Sequence, residues 1–196
     1  MVSFDWEHWL MHWNTLLFEH FQPDAYGPDY LTKADLSPEV LATGWFGYPP
    51  ATPAQLATTE ARLGIALPPS YRAFLQTSNG WRQPGWFVSR LWAVDNVEWF
   101  HVRHQHDWIE PWRIGEEEYA VDGEAQTLRT ALEISDVGDA AVYLLNPHVI
   151  TADNEWEAWF FASWVPGSIR YPSFWDLMQA EYTSFWRLKN ESIKDS

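Results

Sequence analysis

The sequence predicts an α+β domain, with an antiparallel or mixed sheet of about five strands, helices packed largely on one side, and an additional N-terminal helix. Three observations predict it. Apolar residues recur at helical spacing in the first 80 residues, short strand-like runs follow, and a capped helix closes the chain.

From Ser3 to Phe21, the residues Trp6, Trp9, Leu10, Trp13, Leu16 and Leu17 fall on one face of a helix, with Asp5, His8, His12, Asn14 and Glu19 mainly between them. Residues 22–50 are rich in Pro and Gly and read as a connecting arm, with one short turn opened by Ser37, Pro38 and Glu39 before Gly44. At Thr52 the helix signals sharpen. Thr52 as N-cap, Pro53 at the first helical position and Gln55 three residues after the cap satisfy the orphan amides of a helix start, and Gly64 stops the helix. Pro68 and Pro69 open a second helix with Tyr71, Phe74 and Leu75 on its apolar face, and Asn79-Gly80 ends it because both tolerate positive φ.

Beyond Gly80 the pattern shortens into runs that read as strands: Trp86–Val88, Leu91–Val94, Ala131–Ile134, Ala141–Leu145 and Trp156–Trp164. Asp136, Val137, Gly138 and Asp139 make a hairpin turn between the third and fourth. The Trp156–Trp164 run is apolar on both of its alternating sides, so it is expected in the middle of the sheet with both faces covered. Residues 101–126 are charged and aromatic without a steady period and read as an insertion. Ser173 and Asp176 match a capping box, after which Phe174, Leu177, Met178, Tyr182 and Phe185 trace one face of the final helix.

Fifteen Trp, eight Tyr and eleven Phe are a complement for a folded core, not for a disordered chain. With 27 acidic against 12 basic side chains, the net charge of −15 opposes nucleic acid and anionic membrane, and favours a basic protein partner. There is no cysteine, which removes disulfides, thiolate metal sites and a cysteine nucleophile together. The first twenty residues hold Asp5, Glu7 and Glu19 and no Lys or Arg, so no secretory signal is expected, and no run reaches the roughly 18 apolar residues of a membrane span. A cytoplasmic location is the consistent expectation.

The stretch Thr52–Gly80, TPAQLATTEARLGIALPPSYRAFLQTSNG, resembles the signature of the SUKH superfamily, the Smi/Knr-like domains, through Glu60, Leu63, Gly64, Leu67, Pro68, Tyr71, Phe74, Leu75, Asn79 and Gly80. A second likeness lies in Glu155–Met178, where an aromatic strand, the turn at Trp164, Pro166 and Gly167, and the Ser173-Phe174 helix start keep the family's order. On this reading residues 1–50 are the N-terminal aromatic helix and arm. Residues 51–189 are the SUKH-like domain with the insertion at 101–126, and residues 190–196 are a solvated tail. The resemblance implies a non-enzymatic α+β domain that binds proteins; bacterial members act as immunity partners of polymorphic or contact-dependent toxins, and eukaryotic members act as scaffolds or regulators. It supplies no catalytic residue and no cofactor.

His8 and His12 sit four apart on a helix, but no third ligand is visible and the His-Glu-x-x-His pattern is absent, so no metal is expected there. His101, His104 and His106, followed by Asp107 and Glu110, form a polar loop before they form a zinc site. The carboxylate pairs Asp136/Asp139 and Glu155/Glu157 have ordinary structural explanations at a turn and on one strand face, and there is no nucleophile elbow or phosphate-cradling Gly loop. Trp6, Trp9, Trp13, Trp156, Trp159, Trp164 and Trp175 are expected in the core, while Trp81, Trp86, Trp108 and Trp112 fall in or near loops. Three blocks carry acids and no base: five acids in Met1–Thr32, five in Ile114–Leu128 and six in Thr130–Ile169. If the sheet gathers the second and third on one side, Glu116, Glu117, Glu118, Asp122 and Glu124 present a negative face flanked by Trp108 and Trp112, the expected surface for a basic cognate toxin.

Overall fold

The computed structural model describes residues 4–20, 36–119 and 124–194. Helix α1 (Trp6–His20) is followed by the short α2 (Pro38–Thr43), which Ser37 caps and Gly44 ends. Helix α3 (Pro53–Leu63) opens on the expected capping box: Thr52 Oγ1 accepts from the Gln55 amide at 3.2 Å, and Gln55 Oε1 accepts from the Thr52 amide at 3.0 Å. Glu60 then fixes the corner to α4 (Pro69–Thr77), because its Oε1 accepts from the Leu67 amide and from Arg72 Nε. Asn79 Oδ1 accepts from the Val94 amide at 2.7 Å, and Gly80 has φ +103°. These contacts give Glu60, Asn79 and Gly80 structural roles.

A small ribbon, β1 (Trp81–Arg82) with β2 (Arg90–Leu91), leads to an antiparallel five-stranded sheet in simple order: β3 (Glu98–Trp99), β4 (Leu132–Glu133), β5 (Ala141–Ile150), β6 (Trp156–Ala162) and β7 (Ser168–Tyr171). The register sets Leu132, Leu145, Ala158 and Tyr171 side by side on one face, and Glu133, Leu144, Trp159 and Arg170 side by side on the other. The first face packs against α1, α4 and the long α8 (Phe174–Lys194), which bury Trp6, Trp13, Tyr71, Phe74, Phe174, Leu177 and Phe185 with the sheet. The second face carries its own apolar cluster, in which Val142, Leu144, Trp159 and Phe161 meet Phe100, Ile109 and Leu128. The fold is therefore α+β, with β6 covered on both faces.

Several details differ from the sequence reading. Trp86–Val88 is a bent loop and not a strand: Ser89 and Arg90 donate their amides to Asp136 Oδ1, and the Trp86 ring stacks on Phe185 at 4.7 Å, so side-chain packing turns the segment out of any ladder. Of Leu91–Val94 only Leu91 is in a strand. The hairpin turn lies slightly beyond its expected position, with Gly138 and Ala141 exchanging hydrogen bonds around Asp139 and Ala140, both at positive φ. Trp164, expected in the core, lies past the end of β6 and is 49% exposed, its indole donating to the Asp139 carbonyl. Trp81, expected near a loop, is fully buried. No helix among the described residues is long and apolar enough to cross a membrane.

Candidate functional site

The insertion is helical. Strand β3 runs directly into α5 (Phe100–His104), a π-helical turn follows (Gln105–Ile109), and α6 (Glu110–Tyr119) and α7 (Glu124–Leu128) complete it. It lies across the second sheet face because Phe100, Ile109 and Leu128 bury there. Trp108 and Trp112 bracket Phe161, with ring centroids 5.5 and 4.8 Å away, and both are half-buried. As aromatic residues expected to flank the partner surface, they also hold the insertion on the sheet, because Phe161 offers an apolar seat between their rings. His101, Val102, His106, Pro111 and Ile114 are exposed.

The acids of this region divide by role. Glu110 accepts from Arg113 Nε at 3.1 Å, from Gln105 and from Arg129 Nη2 at 3.3 Å, and the hydrogen bonds from Arg113 and Gln105, with the charge of both arginines, draw its carboxyl below the usual range. Glu124 receives the amide and hydroxyl of Ser168 and Nη2 of Arg170, and Arg170 lies 4.6 Å from the Trp159 ring, so α7 is clasped to the edge strand β7. Glu116, Glu117 and Glu118 lie on α6, in a stretch described by its backbone alone, and Asp122 lies outside the described residues.

The third acidic block is not a surface face. Glu133, 2% exposed on β4, accepts from Trp92 Nε1 at 3.3 Å, and its Oε2 stands 3.3 Å from Arg103 Nη1 and 3.4 Å from His104 Nε2, tying α5 to the sheet. Glu155, 6% exposed, accepts from the Ser70 amide at 2.7 Å and the Ser70 hydroxyl at 2.6 Å, which satisfies the start of α4. Burial raises its carboxyl, although the Ser70 bonds oppose the shift. Glu157 accepts from Asn146 Nδ2 and Trp159 Nε1 on the opposite sheet face, so Glu155 and Glu157 do not share one. Asp136 binds two amides inside the loop. Four of the six acids expected to add to a negative face thus turn to internal donors. Asp139 and Asp153 remain exposed.

His104 has one ring nitrogen 3.3 Å from Asp107 and the other facing Glu133; burial lowers its basicity, and the two carboxylates outweigh that to raise it. His101 and His106 point elsewhere, into solvent. Among the described residues no three His, Asp or Glu side chains converge as metal ligands. One buried carboxyl escaped the sequence reading altogether: Glu181 on α8, bonded by Tyr143 on β5. Its only sequence signal is a Glu on the apolar stripe that carries Leu177, Met178 and Phe185.

The chain matches a family model described as SMI1 / KNR4 family (SUKH-1) over residues 50–180. No curated protein matches it, and no solved structure does.

Proposed function

Since the chain belongs to the SMI1 / KNR4 family (SUKH-1), we propose that it is an immunity protein, which binds a cognate polymorphic or contact-dependent toxin in the cytoplasm and neutralises it by capping, without catalysis of its own. The observation that carries this reading is the division of the carboxylates. Those within the sheet and its helices, Glu133, Glu155 and Glu157, are engaged by internal donors and leave no facing pair for acid–base chemistry. The run Glu116–Glu118 lies on a helix laid over the outside of the sheet, in a chain of net charge −15. Such a field steers a basic protein towards contact and repels nucleic acid.

Co-expression tests it. The product of the neighbouring gene is expressed with and without this chain, and growth and co-purification are followed. The reading expects growth to be restored and a stable complex to be recovered. Persistent arrest with no complex contradicts it, and a complex without rescue favours a scaffold or regulatory role for the same fold.

A further inference from the structure

Helix α1 presents two imidazoles to solvent on the face opposite its buried stripe of Trp6, Leu10, Trp13 and Leu17. His8 and His12 are both exposed, their ring centroids 4.4 Å apart with planes at 85°, and Nε2 of one lies 3.0 Å from Nε2 of the other. The spacing of four residues places them one above the other, one turn apart. The helix beneath them is firmly seated. Trp6 Nε1 donates to the Ser70 carbonyl, Asn14 bonds both the Gly44 carbonyl and the Phe46 amide, and Asp5 Oδ1 accepts from the His8 amide.

A pair of imidazole nitrogens this close shares one proton between two lone pairs, and a cation that accepts both lone pairs replaces that proton. Metal–imidazole bonds are about 2.0–2.1 Å, which puts two such nitrogens about 2.9 Å apart at a right angle and about 3.4 Å apart at a tetrahedral one. The observed 3.0 Å lies inside that span. We propose that His8 and His12 form a bidentate chelate for a divalent transition-metal ion of the Zn2+, Ni2+ or Cu2+ class, a site the sequence pattern alone had argued against for want of a third ligand. Imidazole donors select these ions over Mg2+ and Ca2+, which demand oxygen shells. Water fills the remaining positions, since among the described residues no third His, Asp or Glu joins the pair. The inference is independent of the immunity reading.

The test titrates NiCl2, CuSO4 and ZnCl2 separately into metal-free full-length chain, read by calorimetry and, for copper, by its visible absorption. His8→Ala, His12→Ala and a His101→Ala/His106→Ala control are compared, each confirmed folded by its melting curve. The expected result is one ion bound with an affinity that drops about tenfold or more in either single variant and is unchanged in the control. Absence of binding by the wild type, or binding undiminished in His8→Ala and His12→Ala, overturns the proposal.

Discussion

Tyr143 Oη donates a 2.8 Å hydrogen bond to Glu181 Oε2, joining the central strand β5 to α8 in the interior. Glu181 is 8% exposed, and burial pushes its carboxyl up to about 7, with the Tyr143 bond pulling the other way. The folded chain therefore holds this proton at pH values where the unfolded chain, near 4.5, has lost it. Stability is expected to fall as pH rises from 4.5 through about 7 and to level off above. Glu181→Gln, which keeps an acceptor without a charge, should remove that part of the slope and stabilise the protein at pH 8.5 by on the order of 3 kcal/mol. Urea unfolding of both proteins at pH 5 and 8.5 measures it; equal differences at the two values would place the proton elsewhere.

Gly80 sits at φ +103°, and a Cβ there would stand 2.7 Å from the Leu91 carbonyl oxygen, a backbone atom that cannot step aside. Gly80→Val is expected to cost about 2 kcal/mol or more, from positive φ and the clash together. A thermal midpoint equal to the wild type's would mean that the corner between α4 and β1 relaxes freely.

Glu155 closes the start of α4 across 85 residues of sequence. Glu155→Ala leaves the Ser70 amide and hydroxyl buried without an acceptor and is expected to destabilise the domain by about 2–3 kcal/mol, while Glu155→Gln, which retains one acceptor, costs less. Denaturant midpoints of the two variants give the order directly.

Trp112 touches Phe161 edge to face from the insertion side. Trp112→Ala and Trp108→Ala are expected to lose about 2 kcal/mol of stability each and to raise amide exchange across residues 100–114, because the ring contacts hold the insertion down. Unchanged stability combined with faster release of a bound partner would return both rings to the interface.

What the sequence made legible is what is decided locally. Thr52 with Gln55 and Ser173 with Asp176 form their caps within four residues, and the run expected from Trp156 to Trp164, apolar on both sides, carries its own evidence of two covered faces although the strand ends at Ala162. The two-residue strands β1 and β3 were not legible, since Glu98–Trp99 becomes a strand only by pairing with Leu132–Glu133 beyond the whole insertion. The insertion hid its helices for a different reason: the π-helical turn at Gln105–Ile109 shifts the phase between Phe100 and Ile109, and no single 3.6-residue period spans both. Charge blocks misled because composition counts carboxylates without their donors. Glu133, Glu155 and Glu157 read as surface acids until Trp92, Ser70 and Asn146 are brought to them by the fold.

On the proposed function, Glu116, Glu117 and Glu118 of the insertion recruit a basic protein toxin. The most direct test is stopped-flow association of the co-purified toxin with wild type and with the triple variant Glu116→Lys, Glu117→Lys, Glu118→Lys at a series of salt concentrations. Long-range charge attraction is screened beyond a Debye length of about 8 Å at physiological ionic strength and governs encounter more than residence. The triple variant is expected to associate about tenfold or more slowly at low salt, with a flattened salt dependence and a nearly unchanged dissociation rate. A folded triple variant whose association rate and salt slope equal those of the wild type would contradict it.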